Sequence, residues 1–204
     1  MTLRRLLGLA MLISGTALAG AALLHYGRGI EAQKEARRTF EKVLEARRAS
    51  PLLPAIPAGR PFPRGADRDG EPIAWLLIPS VRIDAIVLAG SDPQTLAKGP
   101  GHVPGTELPG RRTGINNCVI TAHRDADFRN LGLVRKGERI ELTTPEGVES
   151  YRVVSREIVD PSDVAVLAPT QTPRLTLITC YPFRFIGHAP KRLVVVAEPL
   201  AAGS

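Results

Sequence analysis

The chain has 204 residues, two cysteines and a formal net charge of +7. This length accommodates one domain of about 100–150 residues with an appendage. Two cysteines exclude a disulfide-dense secreted scaffold, although one bridge or two thiols remain open.

The positive charge is concentrated near the N-terminus. Residues 1–48 contain nine Lys/Arg against four Glu and so carry +5, which leaves +2 for the rest of the chain. A basic excess beside an apolar segment is typical of a protein that contacts anionic lipid headgroups, and not of a groove that reads nucleic acid. We therefore expect membrane lipid as a partner and no nucleic acid.

An apolar run of 19 residues without a charge extends from Leu6 to Leu24. At 1.5 Å per residue, a helix of this length just spans a hydrocarbon core of about 30 Å. Arg4 and Arg5 precede the run, and the positive-inside rule keeps them in the cytoplasm. The sequence therefore predicts a single-pass protein of the cell membrane whose folded domain faces the exterior. A cleaved signal peptide is the alternative, since Ala17–Ala19 offers an A-x-A cleavage pattern.

The next segment has the composition of a spacer. Residues 29–49 are typical of a polar helix with a small apolar patch of Phe40, Val43 and Leu44. The prolines between Pro51 and Pro63 favour extended conformations, as a spacer or as a loop that wraps the domain. The sequence thus predicts a membrane anchor over residues 1–28, a helical stalk and proline-rich linker over 29–72, and a catalytic domain over 73–204.

Seven short apolar runs with many β-branched residues follow Pro72, separated by turn sequences such as Pro104-Gly105. They are Ile73–Ile78, Ile83–Leu88, Cys118–Ala122, Arg139–Leu142, Glu149–Val159, Leu175–Thr179 and Leu193–Ala197. Helical turns are expected at Pro93–Lys98, Asp127–Leu133 and Ser162–Leu167. Seven or eight short strands without long intervening helices predict a mostly-β barrel or sandwich.

Three residues with suitable chemistry stand at the predicted strand boundaries. Cys180 follows one strand, His123 follows another, and Arg192 precedes a third. A thiolate is the nucleophilic form of cysteine, and a nearby cation favours that form. By spacing alone, however, a cysteine at a strand end is more often a packed residue than a nucleophile.

Three segments resemble the motifs of the sortase family, in the family's order and spacing. Thr176–Cys180 is similar to the signature T-L-x-T-C, and Tyr181–Phe183 after it is similar to class D enzymes. Thr121–Asp125 resembles the histidine motif, and Ala189–Val196 resembles the segment with the essential arginine. The resemblance extends over about residues 73–198, and the loop Gly101–Thr106 is also similar to class D.

This resemblance implies an eight-stranded β-barrel that follows one N-terminal transmembrane helix in the chain. It implies cleavage of an LPxTG-like sorting signal through a thioester on Cys180, and transfer of the protein to an amine acceptor, a cell-wall precursor or a pilin lysine. His123 would transfer protons and Arg192 would stabilise the oxyanion. No cofactor is expected.

Neighbouring residues are candidates for supporting roles. Asp125 is a candidate to orient His123, or a solvated turn residue. His102 is a candidate to line the substrate groove or to cap a loop, and Thr179 is a candidate for substrate or supporting contacts. Cys118 is interpreted as a small packed residue. No metal site is expected, since Asp84, Asp160 and Asp163 are widely separated in the sequence.

Two other functions use the same residues or the same fold. A cysteine peptidase would hydrolyse the acyl-enzyme with water, and an assembly scaffold would retain the barrel without the chemistry. The presence of Cys180, His123 and Arg192 together favours an enzyme over a scaffold.

Overall fold

A computed structural model describes residues 3–49, 69–111, 115–185 and 187–200. A long helix, α1 (Leu3–Ala49), comes first, and a short one, α2 (Pro93–Leu96), lies between the second and third strands. Short 3-10 turns lie at Pro79–Val81, Leu131–Leu133 and Val164–Leu167. The strands are β1 (Pro72–Ile78), β2 (Ile83–Ala89), β3 (Gly101–His102), β4 (Asn117–Thr121), β5 (Arg139–Thr144), β6 (Gly147–Val159), β7 (Arg174–Tyr181) and β8 (Lys191–Pro199).

The eight strands form a closed barrel in the order β1-β2-β3-β4-β7-β8-β6-β5. The predicted eight-stranded barrel with few short helices is therefore confirmed. The strand that the sequence pattern did not reveal is β3, because two residues are too few for an alternation. It is held by a parallel pairing with β2 and an antiparallel pairing with β4.

The interior of the barrel is filled by the inward side chains of its strands. Alternate residues of β1, for example Leu76 and Ile78, are completely buried, as are Leu175 and Leu177 of β7. Phe128 and Leu131, from the connection after β4, cover one part of this core. Closure pairs the edge strands with each other, so the sheet buries its hydrophobic face without an open edge.

Helix α1 packs against the outside of the barrel through β1 and β2. Phe40 is completely buried there in a cluster with Ile86 and Leu88. The side-chain amide of Gln33 accepts a hydrogen bond from the Ile86 N–H (2.8 Å) and donates one to the Ile86 carbonyl (3.1 Å). This part of the segment interpreted as a stalk is therefore docked on the barrel.

A charged contact strengthens the docking of α1. The Arg37 guanidinium pairs with the Asp84 carboxylate and lies 4.3 Å from the ring centroid of Trp75. The Trp75 indole N–H donates to the same carboxylate at 2.7 Å. Because a cation, an aromatic ring and a carboxylate hold one another in place, the helix is fixed in rotation as well as in position.

The segment predicted as a membrane anchor falls in the first half of α1. Residues 3–28 are helical, and Leu7, Met11, Leu12 and Leu18 are exposed. Among the described residues, no helix combines the length and the apolar character that crossing a bilayer requires. The proline-rich linker falls almost entirely outside the described residues, and the chain is described again from residue 69.

Candidate active site

The register of two neighbouring strands brings Cys180 and Arg192 together. β7 and β8 are antiparallel, and Cys180 on β7 is paired directly with Arg192 on β8. Side chains opposite each other in an antiparallel pair start about 5 Å apart at their Cβ atoms. Arg192 is 12 positions after Cys180 in the sequence, and the β7–β8 hairpin brings the two residues side by side.

His123 reaches the same level on the strand at the other side of β7. β4 runs parallel to β7, and Thr121 is paired with Ile178. The Ala122 N–H then donates to the Ile178 carbonyl (3.3 Å), and the Thr179 hydroxyl donates to the Ala122 carbonyl (2.8 Å). These hydrogen bonds extend the β4–β7 register beyond the end of β4. His123 therefore lies beside Cys180.

Strand alternation places the three side chains on the outer face of the barrel. The residues that join the interior core are Cys118, Ile120 and Ala122 near His123, Leu175 and Leu177 before Cys180, and Leu193, Val195 and Ala197 after Arg192. Successive strand residues point to opposite faces. His123, Cys180 and Arg192 therefore share one outer surface, where a peptide can approach them.

Exposure of the three side chains suits a reactive site. His123 is exposed, whereas Cys180 and Arg192 are half-buried. The Arg192 Nη1 group donates to the carbonyls of Ala189 (3.2 Å) and Lys191 (3.0 Å), which fixes the guanidinium at the start of β8. Its Nε and Nη2 groups have no hydrogen-bond partner among the described residues and are available to an added oxygen atom.

A groove leads along the outer face to Arg192. It has a volume of about 160 Å³ and lies between the sheet, at Ile178 and Val194, and the β6–β7 connection, from Val159 to Leu167. Its wall is largely aliphatic, with Asp160 and Asp163 at the connection.

Arg124 is a site residue that sequence reasoning missed. Its guanidinium donates to the carbonyls of Pro182 (2.9 Å), Phe185 (2.7 Å) and Gly187 (3.1 Å) in the β7–β8 loop. It thus ties the residue after His123 to the loop that follows Cys180. One signal was present, the position of an arginine next to the histidine, but surface arginines are common and no local pattern distinguishes this one.

The other predicted residues lie around this surface in different environments. Thr179 is buried and links β7 to Ala122, as described above. His102 is also buried, and its Nε2 lies 2.9 Å from the Glu107 carbonyl and 3.0 Å from the Thr106 hydroxyl. Burial lowers the pKa of His102 and favours its neutral form. Its ring is therefore engaged within the loop after β3.

The two remaining candidates differ in exposure. Asp125 is exposed, and its carboxylate makes no hydrogen bond to His123 among the described residues. Cys118 is buried in the barrel core, and it forms no disulfide with Cys180. The thiol of Cys180 is the more accessible of the two.

The three aspartates considered for a metal each have a structural partner. Asp84 pairs with Arg37, Asp160 pairs with Lys191 at 3.1 Å, and Asp163 accepts from the Ala165 N–H at 3.1 Å. Within the described ranges, no three His, Cys, Asp or Glu side chains come together in a way that would hold a metal ion.

The fold and site together define a class of protein, a closed eight-stranded barrel with cysteine, histidine and arginine at the ends of three adjacent strands. A family model for the sortase domain matches residues 76–200. Because that match covers more than half of the chain, this protein belongs to the sortase family. Sortases are cysteine transpeptidases that are membrane-anchored or associated with the cell envelope.

Individual relatives support the same family. Sortase D of Bacillus subtilis (strain 168) is 33% identical over 130 residues, 63% of this chain and 64% of that protein. Sortase A of Listeria monocytogenes serovar 1/2a is 26% identical over 152 residues, 72% of this chain and 63% of that protein. The chain thus spans a little under two thirds of the length of these curated relatives. The predicted resemblance to class D sortases is confirmed.

A solved structure matches the fold. The Sortase D5 transpeptidase of Clostridium perfringens superposes with a TM-score of 0.67 at 21% identity, covering 84% of this chain and 99% of that chain. At this identity the likeness concerns the fold alone.

Proposed function

We propose that this chain cleaves an LPxTG-like sorting signal through a Cys180 thioester and transfers the protein to an amine acceptor at the cell envelope. The observation that carries the proposal is the alignment of Cys180 with Arg192 across β7 and β8, with His123 at the same level on the other side. Nucleophile, proton-transfer group and oxyanion donor then lie on one outer surface.

In the acylation step, the Cys180 thiolate attacks the carbonyl carbon of the threonine in the sorting signal. The negative charge that develops on the carbonyl oxygen is stabilised by the available N–H groups of Arg192. The C–N bond breaks, and His123 as imidazolium gives its proton to the leaving amine. A thioester and a neutral imidazole remain.

In the transfer step, the incoming amine attacks the thioester carbonyl. The amine loses a proton to the His123 imidazole, the C–S bond breaks, and the new amide bond forms. Cys180 leaves as a thiolate, so the starting protonation states are restored. The groove between the sheet and the β6–β7 connection would hold the sorting signal, since its aliphatic wall suits leucine and proline side chains.

Partition of the acyl-enzyme tests transfer against hydrolysis. Water is present at about 55 M, so efficient transfer requires a thioester that is shielded from water and a site for the amine. With an LPxTG-type peptide, millimolar amine should divert the product from free acid to amide, as measured by mass spectrometry. The full chain should be used, because truncation near Pro72 removes the contacts of Gln33 and Phe40 with the barrel.

Two outcomes would favour the alternative functions. Hydrolysis at full rate without any amide, across amines related to cell-wall precursors and pilin lysines, would make the chain a cysteine peptidase of the hydrolase class. Failure of any sorting peptide to form an acyl-enzyme would favour an assembly scaffold.

We also propose a single-pass arrangement in the cell membrane, with the N-terminus in the cytoplasm. The uncharged run from Leu6 to Leu24 and the preceding Arg4 and Arg5 support it. In spheroplasts, added protease should digest the barrel while the N-terminus stays in the membrane fraction. A soluble mature protein beginning near Gly20 would show cleavage after Ala17–Ala19 instead.

A further inference from the structure

A second cavity is lined by His123, a residue that does not line the groove. It has a volume of about 710 Å³ and lies between α1 and the barrel, with Ile30 and Lys34 on the helix side and the loop from His123 to Asn130 opposite them. The groove contacts Arg192 and not His123, whereas this cavity contacts His123 and not Arg192. The two spaces therefore share no lining residue, and each is lined by a different one of the proposed catalytic side chains.

Transfer requires an arrangement of this kind. The acyl chain occupies the groove when the thioester forms, so the incoming amine must enter from elsewhere. It must also deliver a proton to His123, so its nitrogen has to arrive beside that ring. The cavity beside α1 meets both requirements.

Charged residues line the cavity on two sides. Asp125, Asp127 and Arg129 belong to the same loop as His123 and line one side. Burial raises the pKa of Asp127, and the charges of Arg129 and His123 act in the opposite direction, so this carboxylate lies within electrostatic reach of the histidine. With two carboxylates against one guanidinium, this side of the cavity would attract a protonated amine, which releases one proton to water before its nitrogen attacks the thioester.

The other side is basic. Lys34 on α1 and the strand-side residues Arg82 and Lys98 line it, together with Arg37, whose guanidinium is paired with Asp84. Lys34 also pairs with Glu31 at the exposed edge. Lys98 and Arg82 have no carboxylate partner among the described residues, so they would attract an anionic group.

We propose that the cavity between α1 and the His123 loop binds the amine acceptor, and that this acceptor carries a carboxylate in addition to its amine. The amine would lie toward His123 and Asp127, and the carboxylate toward Lys98 and Arg82. This inference rests on the proposed transfer reaction and adds to it the entry route and the charge of the second substrate.

The test uses two amines that differ only in the carboxylate, Nα-acetyl-lysine and its carboxamide, with the full chain in detergent. Ile30 is 44% exposed and Val43 is 42% exposed on the same helix, but only Ile30 lines the cavity. Ile30→Trp should lower the rate of amide formation per molar amine about 10-fold or more, while release of the leaving peptide stays unchanged. Val43→Trp should leave both rates unchanged.

The carboxylate contact is tested by comparing a lysine that lines the cavity with a lysine that does not. The wild-type rate of amide formation per molar amine should be about 10-fold higher with Nα-acetyl-lysine than with its carboxamide. Lys98→Gln should remove most of this preference. Lys136→Gln, at an exposed turn outside the cavity, should keep it. Equal use of the two amines by wild type would overturn the carboxylate contact. An Ile30→Trp variant that transfers like wild type would overturn the site.

A binding measurement separates this inference from the proposed function. Backbone amide NMR signals of residues 30–34 and 123–130 should shift when acetyl-lysine is added, which requires no turnover. Absence of acyl-enzyme with every sorting peptide would contradict the proposed function. Unchanged signals at high amine concentration would contradict the acceptor site.

Discussion

Cys180→Ala is expected to abolish cleavage of a sorting peptide, with a loss of about 10⁴-fold or more, because no other described group at the site can form the thioester. Cys180 is half-buried on the outer face, so the barrel should fold normally, and an unchanged melting temperature would show this. A thiol-reactive substrate mimic should label Cys180, as located by peptide mass spectrometry.

The matched control is Cys118→Ala. Its side chain is buried in the core and contributes packing, so this variant should keep most of its activity with at most a modest loss of stability. An adduct found mainly on Cys118, or an active Cys180→Ala variant, would end the assignment of the nucleophile.

Arg192→Lys is expected to lower kcat about 10²-fold, or about 2.7 kcal/mol of transition-state stabilisation, with little change in KM. The physical reason is geometric. Arg192 uses Nη1 for the carbonyls of Ala189 and Lys191, and in the proposed mechanism Nε and Nη2 donate to the oxyanion. A lysine ammonium keeps the charge but lacks the planar fork, so it cannot hold the carbonyls and the oxyanion at the same time.

Arg139→Lys provides the control for Arg192→Lys. Arg139 is the first residue of β5, as Arg192 is the second residue of β8. Unlike Arg192, Arg139 is exposed and is paired with Glu141 at 3.1 Å. Steady-state kinetics on both variants should show the loss of kcat only at Arg192. If Arg192→Lys instead raises KM at constant kcat, Arg192 binds substrate in the ground state and does not stabilise the transition state.

Local patterns were sufficient for the strands that carry the site. β4, β7 and β8 are runs of β-branched and leucine residues bounded by turns, so their positions and the residues at their ends could be predicted from the sequence. Cys180, His123 and Arg192 were recognised because each stands at such a boundary within a motif. Their proposed roles came from the resemblance, since the local pattern alone favoured a packed cysteine.

Other features depend on contacts between distant residues. Gln33 bonds to Ile86, 53 positions away, and Arg124 bonds to the loop after Cys180, about 60 positions away. Each partner would be an ordinary surface residue without the other, so neither contact leaves a periodic signal. Docking of α1 was missed for the same reason, because the sequence showed only a three-residue apolar patch on a polar helix.

The sequence by itself determined the succession of strands, the family motifs and the identity of the three residues proposed for catalysis. Only the tertiary structure decided how these parts meet: barrel closure places β7 between β4 and β8, and the register puts Cys180 opposite Arg192. The physical reason is the range of the interactions. Strand propensity and turn chemistry act over a few residues, whereas strand pairing and the packing of α1 join residues that the chain order does not relate.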